Sequence, residues 1–251
     1  MSEYLEILGT VTGITYLFIL TLLEIVLGID NIIFISIVTD NLPENKKRFA
    51  RNVGLSLALI VRLFLLTIVS IIIGMTEPFF TIYGQAFTGQ SIVLLIGGLF
   101  LIYKSTREMH NSVKGESEVS SETKSTLMGI ILQITLIDLV FSFDSVISAV
   151  GMTNGIHEET GHNPMIIIYL SVIISMIVML LFSGQISKYI SENPTIKMIA
   201  LSFLVTIGVL LVAEAFNQHI PKGYVYFGLV YSLIVELLNI RMRKNAQNDS
   251  K

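Results

Sequence analysis

No cysteine occurs in the 251 residues. That absence removes disulfide frameworks, thiolate zinc sites and thiol nucleophiles together. Charge is scarce as well: 14% of residues are Asp, Glu, Lys or Arg, where a soluble domain carries roughly a quarter. Proline is missing from the apolar blocks, because Pro43, Pro78, Pro164, Pro194 and Pro221 all fall between them. The sequence contains no nucleotide-binding loop, nucleophile motif or nucleic-acid signature. The start, MSEYLEILGT, lacks the basic region of a cleaved signal peptide, so the first apolar block is read as a mature span.

What is present is apolar. Hydrophobic residues make up 53% of the chain, and the mean hydropathy is +0.75. They form seven continuous blocks, at residues 11–38, 53–74, 91–110, 127–152, 165–187, 197–217 and 223–241. Each block reaches the roughly 20 residues an α-helix needs to cross a bilayer. Strands in these blocks are excluded, since an open sheet edge is not satisfied in lipid. The expectation is an all-α membrane protein with seven transmembrane helices. All but two of the 16 basic residues lie in alternate connections and the tail, the exceptions being Lys222 and Arg62. The positive-inside rule then puts the N-terminus outside and the C-terminus in the cytoplasm, with the chain in the cell membrane.

Two short stretches carry the chemistry. LLEIVLGIDNII, Leu22–Ile33, sets Glu24 and Asp30 in an apolar run, and LIDLVFSFDSVI, Leu136–Ile147, does the same with Asp138 and Asp144. A shift of 114 residues superposes Glu24 on Asp138, Gly28 on Ser142, Asp30 on Asp144 and Asn31 on Ser145. IGGLFLIYKS in the third block also resembles TIGVLLVAEA in the sixth. The chain therefore reads as two three-helix repeats, 1–110 and 127–217. They are joined by a cytoplasmic linker, 111–126, and followed by a seventh helix and tail, 218–251. An odd number of helices per repeat inverts the second copy across the bilayer, an architecture of secondary transporters.

Translocon scales put one charged Asp at mid-membrane at roughly 2.5–3.5 kcal/mol, so four carboxylates need protons, bases or a cation. Arg62 is the one base expected at mid-depth, and it cannot balance all four. Glu24 and Asp138 fall near the middle of their spans. Asp30 lies about 9 Å inward of Glu24 and Asp144 about 9 Å outward of Asp138. Residues six apart on a regular helix face different ways, so convergence on one ion requires the helix to open, with Gly28 as the expected break. The reading is a cation held by the central pair, with the flanking acids completing the site alternately and protons returning to the emptied carboxylates. The candidate ligands, Glu24, Asp30, Asn31, Asp138 and Asp144 with Ser142 and Ser145, are all oxygen donors. Such a set suits Mg²⁺, Ca²⁺ or Mn²⁺, without choosing among them.

At LEIVLGIDN and IDLVFSFDSV the chain resembles the TerC family of integral membrane proteins, and HIPKGYVYFGLVYSLIVELLN resembles that family's last loop and span. The similarity covers nearly the whole chain. It implies a non-enzymatic role, with Mn²⁺ as the transported ion and no organic cofactor. Members of this type are associated with manganese efflux across the bacterial cytoplasmic membrane. The family's acidic positions fall on Glu24, Asp30, Asp138 and Asp144. Rival readings are transport of another divalent cation such as Ca²⁺, a membrane factor delivering metal to exported proteins, and an intramembrane hydrolase with paired aspartates. The partners this implies are the bilayer, manganese and protons, with a homodimer or the secretion machinery as further candidates.

Other polar residues carry weaker expectations. Glu214 is either an outer ligand or an interfacial acid. Arg62 is a counter-ion to the empty site or a packing arginine. Asn31 and Ser145 are ligands or interhelical hydrogen-bonding groups. Glu236 reads as interfacial, Lys104 as snorkelling to water, and GIHEETGHN as a solvated loop. Gly97 and Gly98 read as permitting close helix packing.

Overall fold

The computed structural model describes residues 7–40, 42–68, 78–82, 85–114, 126–160, 164–218 and 220–249. Most of the expected linker, 115–125, lies outside them, as do 69–77 and 161–163 with His162. After a 3₁₀ turn at Ile7–Gly9 come α1 (Val11–Leu27), α2 (Ile29–Asp40) and α3 (Glu44–Thr67). Then follow β1 (Pro78–Ile82), β2 (Gln85–Thr88), α4 (Gly89–Lys114) and α5 (Leu127–Thr160). The last three elements are α6 (Met165–Glu192), α7 (Pro194–Ala215) and α8 (Lys222–Asp249). Among the described residues, six segments are long and apolar enough to cross a membrane: α1 with α2, then α3, α4, α6, α7 and α8 to Arg243. Among the described residues of α5, Leu127–Phe143 is a further, shorter apolar stretch. The chain is an all-α, multi-pass membrane protein.

Local sequence sets the boundaries. Thr10 opens α1 by accepting the Gly13 N–H at 3.0 Å. Pro43 and Pro164 precede α3 and α6, and Pro194 takes the first turn of α7, where a missing N–H costs nothing. Asn217, at φ 59°, ends α7 in the left-handed conformation, and the Gln218 N–H returns to the Ala213 carbonyl at 2.9 Å. Three differences from the sequence reading stand out. β1 and β2 form an antiparallel hairpin, which is compatible with a membrane protein because it lies in a connection. α4 runs to Lys114, four residues into the expected linker. α5 runs to Thr160, so much of GIHEETGHN is helical rather than a loop.

Helix packing follows a paired scheme. α1 and α2 lie along α6, while α5 lies along α3, so the first helix of each half packs on the second helix of the other. The third helices, α4 and α7, make the most extensive interface among the described residues. Gly98 and Gly208, matched in the repeat, meet at that crossing: a Cβ on Gly98 would sit 2.7 Å from the Gly208 carbonyl oxygen, and one on Gly208 2.9 Å from the Gly98 oxygen. Gly97 lies against the Val140 side chain. Without a hydrophobic drive between helices in lipid, such close approach supplies the association through dispersion.

One end of the bundle is tied by charge. Asp40, closing α2, accepts from Lys47 of α3 at 2.9 Å, Ser191 of α6 at 3.1 Å and Lys197 of α7 at 3.3 Å. Lys197 also pairs with Glu108 of α4 at 3.2 Å. Helices α2, α4 and α6 therefore end, and α3 and α7 begin, in one layer. The second and third helices of the two halves run in opposite directions. At the other end Lys222 of α8 pairs with Glu214 of α7 at 3.6 Å.

Gly98→Leu is expected to lower the unfolding temperature of the detergent-purified protein by several degrees, because overpacking at a backbone contact typically costs about 1–3 kcal/mol. Gly223→Ala, where an added Cβ meets nothing within 4 Å, should leave the unfolding temperature unchanged. Differential scanning fluorimetry with a dye suited to detergent reads both.

Candidate functional site

The site is built around α3. Its buried residues Ala50, Gly54, Ala58 and Arg62 recur every fourth position, forming one stripe of the helix. Gly54 lies against Ile134 of α5, so the small residues bring the two helices close and let Arg62 reach across. On α5, Asp138 and Ser142 are one turn apart on the facing side. On α1, Glu24 is four residues after Leu20, and both are buried. Arg62, Glu24 and Asp138 are 2%, 1% and 2% exposed respectively.

The arginine is shared between the halves. Its Nη1 donates to Glu24 Oε2 at 2.8 Å and its Nη2 to Asp138 Oδ1 at 3.2 Å. Its Nε donates to Ser142 Oγ at 2.9 Å, and Ser142 in turn donates to Asp138 Oδ2 at 3.0 Å. Asn31 closes the network by donating from Nδ2 to Asp138 Oδ1 at 2.8 Å. With both acids ionised, one guanidinium faces two carboxylates, leaving one negative charge in excess. In a low-dielectric interior such an excess is costly unless a proton or cation joins it.

Asp30 belongs to a second group. It is 3% exposed, and its Oδ2 accepts from the Tyr226 hydroxyl of α8 at 3.2 Å. Its Oδ1 and the Asn31 Oδ1 are buried with no hydrogen-bond partner among the described residues. Asp30, Arg62, Ser145, Lys222 and Tyr226 line one cavity of about 20 Å³ with apolar residues of α7, room for one water-sized occupant. Arg62 thus borders both groups.

The helix does not open as expected. Gly28 alone separates α1 from α2, with φ −85° and ψ −7°, close to helical values. Its N–H reaches the Glu24 carbonyl at 2.8 Å, and the Ile32 N–H reaches the Gly28 carbonyl at 3.1 Å. The glycine serves close packing instead, since a Cβ there would collide with the Met179 sulfur of α6. Glu24 and Asp30 accordingly point to different neighbours, as residues six apart on a regular helix must. Among the described residues, no three Asp, Glu or His side chains gather into a group that could hold a metal. The backbone of Asp144 is in α5, but its side chain lies outside the described part. Glu214 pairs with Lys222, which lines the cavity beside Asp30. Ser145 is buried beside the cavity and donates to the Ser142 carbonyl at 3.4 Å. Glu236 accepts from Thr195 of α7 at 2.6 Å, tying α8 to α7.

Tyr226 and Met179 are the residues that sequence reasoning missed. The phenol carried a signal, because a tyrosine inside an apolar span needs a hydrogen-bond partner. Met179 carried none, as its role depends only on what faces it.

Arg62→Met should leave Glu24 and Asp138 facing each other without a counter-charge, a loss on the order of 3–5 kcal/mol for a broken buried pair. The expected result is a lower unfolding temperature in chelator. Thermal scans of the variant and the wild type in the same detergent will read it.

Comparison with known proteins agrees with this picture of a polytopic membrane protein. The chain is 44% identical over 227 residues to the UPF0053 inner membrane protein YgdQ of Escherichia coli K12, covering 90% of this chain and 92% of that one. It is equally similar, over the same coverage, to a UPF0053 protein of Haemophilus influenzae. The UPF0053 inner membrane protein YoaE of Escherichia coli K12 is 42% identical over 228 residues, which span 90% of this chain and 42% of the longer YoaE. No solved structure matches the chain. Residues 10–251 match the integral membrane protein TerC family, and the chain belongs to that family.

Proposed function

We propose that this protein is a transporter exporting divalent manganese from the cytoplasm, in exchange for protons, through the buried carboxylates of its two halves. The observation that carries the reading is the Glu24–Arg62–Asp138 cluster. Acids from both halves meet at one buried guanidinium with an excess of negative charge. A static scaffold gains little from that arrangement, because a buried ion network is weak evidence for stability. A device that exchanges a divalent cation for protons needs charge that can be compensated in more than one way.

The donor set is consistent with the substrate. Carboxylates, the unpartnered Asp30 Oδ1 and Asn31 Oδ1, and hydroxyls are hard oxygen ligands. The choice of Mn²⁺ among hard divalent ions rests on the resemblance of the acidic motifs to manganese-exporting members of the family. Arg62 is the internal counter-ion of the central pair in the metal-free state. When the cation binds, it takes over Glu24 and Asp138, and Asp30 and Asp144 serve as ligands on the two sides. The opposite directions of the second and third helices in the two halves support an inverted repeat, with alternating access by motion of one half against the other. In this reading the N-terminus is outside, and the Asp40–Lys197–Glu108 layer is the cytoplasmic end, in keeping with its basic connections.

Two outcomes are expected in proteoliposomes of inverted orientation with an acidic lumen, the orientation being checked by protease access to the tail. Wild-type protein accumulates Mn²⁺ in the lumen, whereas Asp30→Asn and Asp144→Asn lower the initial rate by at least about tenfold, the scale of a lost charged ligand. Metal binding without uptake under any gradient would sink the export reading and favour metal delivery. Uptake of Ca²⁺ with none of Mn²⁺ would sink the ion assignment. In addition, collapsing the pH difference with nigericin should abolish accumulation above equilibrium, and unchanged accumulation would rule out proton exchange.

A further inference from the structure

At the end of the bundle where α3 begins and α6 stops, two arginines carry charge that no described neighbour offsets. Arg48 and Arg51 are three residues apart on α3, so they project from one flank of the helix. Neither has an ion-pair or hydrogen-bond partner among the described residues. The acids at this end are engaged elsewhere: Asp40 with Lys47 and Lys197, Glu44 with Lys47, and Glu192 with Lys188. Arg48 is exposed, whereas Arg51 is half-buried and its Nε is buried with no partner. The Arg51 guanidinium lies over Gly184 of α6, where an added Cβ would sit 3.1 Å from Nη2. A crevice between α3 and α6 thus holds a guanidinium against bare backbone. The surface outside it is apolar, with Phe49 and Ile60 of α3 and Leu181 and Phe182 of α6 exposed.

We propose that Arg48 and Arg51 bind the headgroup phosphate of an anionic phospholipid in the crevice between α3 and α6, at the bundle end that holds the Asp40–Lys197 layer. Guanidinium donors match phosphate oxygens in pairs, and such charge-assisted bonds are strong. Like charges at this spacing repel one another, and one phosphate between them relieves both. Depth agrees: Arg51 lies about 10 Å along α3 from Glu44, near the headgroup region rather than the hydrocarbon centre. The occupant is a lipid and not a soluble phosphate, because the crevice opens among apolar side chains against which acyl chains can lie. A net negative headgroup is favoured, since the ammonium of a zwitterionic one offsets its attraction to two arginines. This site is separate from the Glu24–Arg62–Asp138 cluster and does not depend on the transport reading.

The test is a titration of the full-length protein in detergent with phosphatidylglycerol, phosphatidylcholine or soluble glycerol 3-phosphate. The readout is the mole fraction of phosphatidylglycerol that gives half the maximal rise in unfolding temperature. Native mass spectrometry counts the lipids retained. Arg51→Gln should raise that mole fraction roughly tenfold, the scale of a lost charge-assisted bond, and remove one retained phosphatidylglycerol. Arg48→Gln, at an exposed position that tolerates substitution, should raise it about fivefold, and it decides alone if Arg51→Gln does not yield folded protein. Lys46→Gln removes the same charge from an exposed position on the same helix and should stay within about twofold of wild type. An equal rise in Lys46→Gln would overturn the site in favour of general attraction to the anionic surface. So would arginine variants that bind phosphatidylglycerol as the wild type does. Phosphatidylcholine acting as well as phosphatidylglycerol would overturn the anionic preference, and glycerol 3-phosphate acting as well would give the crevice to a free phosphate and sink the lipid assignment.

Discussion

A guanidinium held between carboxylates from the two halves of the chain is the constraint on which the rest of the structure depends. Arg62 sits on the second helix of the first half, Glu24 on the first helix of that half, and Asp138 on the first helix of the other. Each of these charges would be costly alone in an apolar interior. Together they are tolerable only while three helices keep their register and depth. The small residues Ala50, Gly54 and Ala58 beneath Arg62 are part of the same requirement, because a larger stripe would hold α5 out of the arginine's reach.

The paired packing of the halves is broken at one point. Gly28 and Ser142 correspond in the sequence repeat, and each meets the second helix of the opposite half. Ser142 meets the guanidinium of Arg62, and Gly28 meets the sulfur of Met179. A fully symmetric arrangement would have put two arginines into the centre and neutralised both acids. A single arginine leaves the centre short of positive charge. Gly98 and Gly208 keep the correspondence where it concerns packing alone, and their crossing anchors α4 to α7.

The two ends of the bundle differ in their fastenings. At one end, Asp40 gathers donors from three helices and Lys197 extends the network to α4. At the other, Lys222 and Glu214 link α8 to α7 beside the cavity that reaches Asp30. Helix α8 is therefore more than an appendage, since it supplies the phenol that orients a central acid and a lysine at the cavity wall.

Much of this was legible in the residues. Continuous apolar blocks demand helices in lipid, prolines confined to connections mark their ends, and acids set inside apolar runs mark buried polar positions. These are properties of local composition, and they determined the membrane-spanning class, the approximate boundaries, the burial of Glu24, Asp30 and Asp138, and the packing role of Gly97 and Gly98. What a side chain faces is decided across helices and is not written in its own segment. Only the tertiary structure decided that Gly28 preserves the helix and fits Met179, that α5 continues through the expected loop to Thr160, and that Arg62 divides itself between Glu24 and Asp138. It also decided that Asp30 turns to Tyr226 of the last helix. The physical reason is that interhelical approach, set by small residues far apart in the chain, chooses which buried polar groups meet.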